Sequence, residues 1–183
     1  MKLLYLLLSM SFMLFGCVEN LKEHTELIAH EEAGEILMLS PITQNAVTGV
    51  YTGFYESGEL RITSNLKNGR RDGVTKKYYK NGNLYSIENF KNGEFEGVSK
   101  DYYENGALKY EAFFKKDYYE GVEREYYENG NLKSESNNVN NRLEGLTKEF
   151  YDTGQLKRTI NHNWWLNPSE KCWDETGNEI SCD

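Results

Sequence analysis

Between residues 49 and 168, apolar, aromatic and glycine positions recur with a period of 24 residues. Gly49, Gly73, Gly97, Gly121 and Gly145 form one series, and Gly58, Gly82, Gly106, Gly130 and Gly154 a second. Leu60, Leu84, Leu108, Leu132 and Leu156 follow two places behind the second glycine. Paired aromatics precede it at Phe54-Tyr55, Tyr78-Tyr79, Tyr102-Tyr103, Tyr126-Tyr127 and Phe150-Tyr151. Self-similarity at a fixed step marks a repeat architecture. Inside one unit, Leu108, Tyr110, Ala112 and Phe114 alternate with Lys109, Glu111 and Phe113, which is the period-two pattern of a strand. Gly97 to Tyr103 is a second β-rich stretch, and Glu104-Asn105-Gly106 supplies the left-handed residue of a tight turn between the two. A further turn falls at Lys67-Asn68-Gly69 and Lys91-Asn92-Gly93, with Lys115-Lys116-Asp117 in the same place in the third unit. Two turns per unit leave about seven or eight residues per strand. The pattern therefore predicts an all-β chain: a single-layer antiparallel meander sheet of five 24-residue β-hairpin repeats, roughly ten strands from residues 49–168. Residues 169–183 form a half-repeat that caps the end.

The unit Gly-Val-x-x-x-Tyr-Tyr-x-Asn-Gly-x-Leu, followed by Lys-Asn-Gly-x-x-x-Gly, resembles the bacterial variant of the MORN repeat. Proteins built from it are often classed with YwqK-type antitoxin components, so the resemblance implies a protein-binding, antitoxin-like role. Units four and five depart from the pattern, at Asn138-Val139-Asn140-Asn141 and Asn163-Trp164-Trp165-Leu166. The motif speaks to fold more than to activity, because a fold hosts functions that only a site defines.

The flanks differ from the repeats. Met1-Lys2 and the uncharged apolar run Leu3 to Phe15 have the layout of an export signal, too short to cross a bilayer as a helix. Leu14-Phe15-Gly16-Cys17 resembles the lipobox of bacterial lipoprotein signals, with Phe15 larger than usual. That resemblance implies cleavage after residue 16, lipid attachment at Cys17 and residence in the cell envelope on the outer face of a membrane. A plain secreted protein is the other reading. Residues 17–48 are expected to be an acidic tether, a solvated segment or short helix. Within it, Glu35-Ile36-Leu37-Met38-Leu39 has the pattern of a strand that could add to the first repeat. Cys172 and Cys182 flank the turn signal Thr176-Gly177-Asn178, so a hairpin there brings them within disulfide reach. Free thiols or half of a metal site are the alternatives.

Composition narrows the function. A formal net charge of −8 over 183 residues argues against a nucleic-acid partner, and 14 tyrosines argue against a disordered acidic chain. No metal, nucleotide or hydrolase motif is present, and no cofactor is expected. His24 and His30 lie among glutamates in the tether, and His162 occupies the slot of Leu66, Phe90 and Phe114. Glu56, Glu104, Glu128 and Asp152 recur beside turns about 10 Å apart, at or beyond the reach of a paired-carboxylate site, and read as solvated turn residues. Two ladders are more suggestive. Lys76, Lys100, Arg124 and Lys148 form a basic column, and Tyr79, Tyr103, Tyr127 and Tyr151 an aromatic one. The basic column either meets a partner, pairs with neighbouring Asp101, Glu123, Glu125 and Glu149, or is simply solvated; the tyrosines either meet a partner or stack on one another. The expected function is a non-catalytic, membrane-anchored module that binds a protein, toxin-like or of the envelope. A structural or adhesive surface lipoprotein that binds glycan is the alternative, and an envelope enzyme the least supported class.

Overall fold

A computed structural model describes residues 28–32, 35–39, 45–162 and 169–182. Every regular element among them is a strand. The first repeat is the hairpin β3 (Gly49–Phe54) and β4 (Leu60–Lys67), and the second is β5 (Arg70–Tyr78) with β6 (Leu84–Lys91). The third pairs β7 (Glu94–Tyr102) with β8 (Leu108–Lys115). The fourth starts with two short runs, β9 (Tyr118–Tyr119) and β10 (Gly121–Tyr126), and returns as β11 (Leu132–Val139). The fifth does the same with β12 (Arg142–Leu143), β13 (Gly145–Phe150) and β14 (Leu156–His162). The tail closes with β15 (Ser169–Trp173) and β16 (Glu179–Ile180). All pairings are antiparallel between sequential neighbours, giving one open meander sheet from β3 to β16.

Two turn types alternate along the sheet. At one rim, Gly106 N–H donates to Tyr103 O (2.9 Å) and Tyr103 N–H to Ala107 O (2.8 Å), with Gly106 at φ +91°. This is a three-residue hairpin loop whose left-handed glycine shifts the register between Asp101 and Tyr102. At the other rim both central residues are left-handed, as at Asn68 (φ +51°) and Gly69 (φ +77°), and the third unit forces Lys116 (φ +51°) and Asp117 (φ +65°) into the same shape. Asp117 is partly compensated, since its Oδ1 accepts the Phe95 N–H at 2.7 Å. Turns of this type in the first four units are also capped by the residue just ahead of the first glycine of the same unit. Asn68 N–H donates to Thr48 Oγ1, Asn92 N–H to Asp72, Lys116 N–H to Glu96 and Asn140 N–H to Glu120.

A single layer has no second sheet to bury against, so its core is a line. Leu66, Phe90 and Phe114 occupy one slot of successive repeats and are 5 %, 6 % and 9 % exposed. Arg71, Phe95 and Tyr119 lie directly opposite them on the next strands. The result is a continuous stack: Arg71 lies 5.0 Å over the Phe90 ring, followed by Phe90–Phe95 at 4.4 Å, Phe95–Phe114 at 5.1 Å and Phe114–Tyr119 at 4.4 Å. Each ring pair adds about 0.5–1.5 kcal/mol beyond its buried area. The stack ends where Asn138 takes the slot, 6 % exposed and with a buried Nδ2 that has no hydrogen-bond partner among the described residues. His162, half-buried, has the slot after that and shares a 3.0 Å hydrogen bond with Thr147 Oγ1.

The amino-terminal expectation needs correction. Residues 35–39 form a strand, β2 (Glu35–Leu39), but it does not add to the first repeat. It pairs antiparallel with β1 (Ile28–Glu32), so part of the expected tether is a separate two-stranded hairpin rather than a helix or solvated coil. Glu35 and Ile36 find strand partners in Glu32 and Glu31, with only two residues between Glu32 and Glu35, a shorter closure than reaching β3. The signal segment 1–16, Cys17 and His24 lie outside the described residues. At the other end Cys172 and Cys182 are bonded to each other, 5.3 Å apart at Cα. Closing so short a loop restrains the unfolded chain by about 2–3 kcal/mol.

Lys116 carries the cost of a left-handed residue with a Cβ and no side chain suited to it, whereas the preceding turns use asparagine there. Lys116→Asn is expected to raise stability by about 0.5–1 kcal/mol in urea unfolding, since Asn tolerates that conformation and the Glu96 cap on its N–H is retained.

Candidate protein-docking face

Strand alternation sends every second side chain to the same face. One face of the sheet holds the aromatic stack and a row of small buried groups, Ser64, Thr75, Ser86, Ser99, Ala112 and Ser136. The opposite face carries the basic column. Lys100 Nζ lies 3.3 Å from Glu111, and Arg124 bridges Glu111 (3.4 Å) and Glu135 (2.8 Å). Lys148 reaches Glu135 at 4.0 Å. Each contact joins residues directly opposite in the ladder, so cations and carboxylates alternate strand by strand from β7 to β13. The expected partners Asp101, Glu123, Glu125 and Glu149 are not the ones used. Each is next in sequence to a member of the column and therefore points to the other face, where Glu125 meets Lys133 and Glu149 meets Arg158. Lys76 faces Thr63 and Ile87 and has no carboxylate opposite.

The ladder is electrostatically tuned at its centre. Burial pushes the Glu111 carboxyl up, but Lys100, Tyr126 and Arg124 outweigh it and hold it below the usual carboxylate range. Tyr126 contributes a hydroxyl that donates to Glu111 at 3.1 Å. The Arg124 guanidinium is raised by its bond to Glu135. On the stack-bearing face, burial and then the bond to Glu123 push the Tyr110 phenol far above its normal value.

The aromatic column has a different arrangement from either expectation for it. The tyrosines are not stacked on one another; each hydroxyl donates to a backbone carbonyl of the next repeat. Tyr55 reaches Tyr78 O (2.6 Å), Tyr79 reaches Tyr102 O (2.8 Å) and Tyr103 reaches Tyr126 O (2.7 Å). Tyr127 reaches Phe150 O (2.8 Å), and Tyr151 reaches Trp173 O in the tail (2.8 Å). Lysines lie over several of these rings, Lys109 on Tyr103 at 5.7 Å and Lys157 on Tyr151 at 5.6 Å. The rings are half-buried at the turn rim, where asparagine amides make the same step: Asn83 Nδ2 donates to Glu104 O and Asn131 Nδ2 to Asp152 O. Glu104 and Asp152 thus take part through their carbonyls, while their carboxylates are solvent-exposed.

A third column lies beside the basic one and is visible only once the faces are assigned. Val50, Val74, Val98, Val122 and Leu146 are all exposed, from 36 % to 71 %. Four of them sit two residues before a member of the basic column, on the same face, and Phe113 (42 % exposed) lies directly opposite Val98. Together they form an apolar row beside the charge ladder, its members about 10 Å apart by strand spacing. The signal was in the repeat itself: the residue after each first glycine is always aliphatic, and in four of the five units the residue two places on is a cation.

Two measurements test this geometry. Tyr103→Phe keeps the ring and deletes one inter-repeat hydrogen bond, and is expected to cost about 1 kcal/mol in urea unfolding, with the Tyr103→Phe/Tyr127→Phe pair costing about twice that. Because the folded Glu111 carboxyl is held low, its contribution is fully present above the unfolded carboxylate pKa and is lost as pH falls through the folded value. The thermal midpoint of the wild type is thus expected to drop more between pH 5 and pH 3 than that of Glu111→Gln.

A search of curated proteins finds no match. The family model described as MORN repeat variant matches residues 47–68, 71–92, 95–116, 119–141 and 143–163. Each match starts two residues ahead of a first-series glycine and ends in or just past the second hairpin return, so the family unit and the structural hairpin coincide. With five units spanning more than half of its length, the chain belongs to the MORN repeat variant family.

Proposed function

We propose that this chain is a non-catalytic binding module, tethered to a membrane through lipid on Cys17, that docks a protein on the face bearing the apolar row and the charge ladder. The observation that carries this reading is the exposed line Val50, Val74, Val98, Phe113, Val122 and Leu146. An apolar line of this length, bordered by charge, is the surface of an interaction site rather than of a solvated sheet. Lys76, Lys100, Arg124 and Lys148 border it and would orient the partner. The tyrosine column, its hydroxyls already engaged, keeps the platform rigid and offers ring edges at the rim. In the antitoxin-like role, the partner is a toxin-like protein arriving at or leaving through the envelope, since a tethered exported chain does not meet one acting in the cytoplasm.

The test is affinity capture from envelope extracts with wild type, Val98→Asp/Val122→Asp and Tyr103→Phe. One stoichiometric protein partner, retained by Tyr103→Phe and lost by the double aspartate variant, is the expected result. Binding to glycan or whole cells with no protein partner would instead support the adhesive role. In the same cells Cys17→Ser is expected to move the protein out of the membrane pellet; a variant that still pellets overturns the anchor.

A further inference from the structure

The face that carries the apolar row is also where the sign of the charge reverses. The whole chain has a formal net charge of −8. On this face the ladder column from Thr63 to Thr159 holds four cations and only two carboxylates, Glu111 and Glu135. Ile87 lies opposite both Lys76 and Lys100, where a third carboxylate would complete the alternation. The two ends of the column are the least neutralised. Lys76 faces Thr63 and Ile87, and Lys148 faces Thr159 and reaches Glu135 only at 4.0 Å. The apolar row alternates in the same way. Asn89 and Asn137 lie directly opposite Val74 and Val122, while Phe113 takes that place opposite Val98. Asn65 Nδ2 donates to Val74 O at 3.0 Å, and Asn89 Nδ2 donates to Val98 O. Those amides bond to the backbone of the sheet itself. The aliphatic side chains are left as knobs, with Phe113 filling the central gap between Val98 and Val122.

We infer that this face seats an acidic amphipathic helix of the partner, laid across the strands and centred on Phe113; the inference rests on the docking reading above. Spacing selects the helix. Knobs two strands apart recur about every 9.4–9.8 Å, and seven residues of α-helix rise about 10.5 Å. One apolar side chain per heptad therefore meets one knob per repeat, with a mismatch of about 1 Å a step. The cation column runs parallel, two residues further along each strand and so about 7 Å away. A helix about 10 Å wide covers the row and turns one flank to the column. Carboxylates on that flank, at the same seven-residue spacing, meet Lys100 and Arg124, and the excess of cations there favours an acidic partner over a basic one. Sheet twist turns successive positions away from a straight axis, so apolar contact is concentrated at Val98, Phe113 and Val122. Toward the ends the longer side chains of Lys76 and Lys148 take over. From Lys76 to Lys148 is six strand spacings, about 28 Å, which is the length of about 19 helical residues. A proline-rich segment steps about 9.3 Å every three residues, but such segments dock into aromatic-lined grooves, and this row is aliphatic on either side of Phe113.

The probe is a synthetic helical peptide of three heptads, with leucine at the first position of each, glutamate along one flank, and alanine and glutamine elsewhere. One control has the same residues reordered so that the leucines fall on different sides of the helix, and another has lysine in place of glutamate. Binding is read by fluorescence anisotropy on the full chain in nanodiscs of zwitterionic lipid, with empty discs subtracted. The acidic heptad peptide is expected to bind saturably and to gain helical circular dichroism, and each control to bind roughly tenfold or more weakly. Val98→Asp/Val122→Asp and Lys76→Glu/Lys148→Glu are expected to weaken the acidic peptide by a similar factor with the β-sheet spectrum unchanged. Raising the salt weakens it in the wild type too, independently of any variant. Equal binding of all three peptides, binding indifferent to salt and to both variants, or no binding at all overturns the inference. If no peptide binds while capture from envelope extracts still yields a protein lost in Val98→Asp/Val122→Asp, the helix falls and the docking face stands. If the peptides behave as expected while capture yields no protein, the helix seat stands and the docking reading falls.

Discussion

The bond from a tyrosine hydroxyl to a carbonyl of the following repeat is the interaction on which the rest of this sheet depends. A single layer has no interior volume, and an isolated two-stranded hairpin is marginal in water. Each unit must therefore gain its stability from the next one. The tyrosines do this at one rim, from Tyr55 through Tyr151, and the aromatic stack does it beside the turns of the opposite rim as far as Tyr119. Carboxylates and Thr48 secure that rim by capping turns within the first four units. The clasp sets a direction as well. Donors point toward the carboxyl end, and the last of them, Tyr151, closes on Trp173, which makes the tail part of the repeat array.

Much of this was legible because the period leaves so little choice. Glycine and asparagine columns specify turns through backbone sign, and Gly106 and Asn68 have the left-handed conformations their positions imply. Strand alternation then fixes which residues share a face. The same alternation was overlooked in pairing the basic column. Asp101 and Glu125 are adjacent in sequence to Lys100 and Arg124, but adjacency in a strand means opposite faces, and the partners are Glu111 and Glu135 across the ladder. The tyrosine column was readable as a column, not as a clasp. A hydroxyl-to-carbonyl contact depends on how far one hairpin is offset from the next, and periodicity does not report that offset. The valine row has the pattern of a core, because a position that is always aliphatic is normally buried, and only in a single layer is it left at the surface.

The two faces divide the work. On one, Phe90, Phe95 and Phe114 contact one another, and a row of serines and a threonine is buried, Thr75 completely. On the other, an aliphatic row and an alternating ladder of charge remain in water. The first face resembles the interior of a sandwich that has lost its second sheet, filled by its own side chains. The second is left available, and the tuning at Glu111 keeps its charge fixed over the ordinary range of pH.

The sulfur–sulfur bond at the tail has a meaning beyond the strength of one hairpin. With Cys172 and Cys182 joined, the short strand β16 is held against β15 by a covalent bond as well as by its ladder. With both thiols reduced, the closing strand keeps two residue pairs and little else to hold it against the sheet. Oxidation at two cysteines thus decides how firmly Trp173, whose carbonyl receives the last tyrosine of the array, is held between its two neighbouring strands.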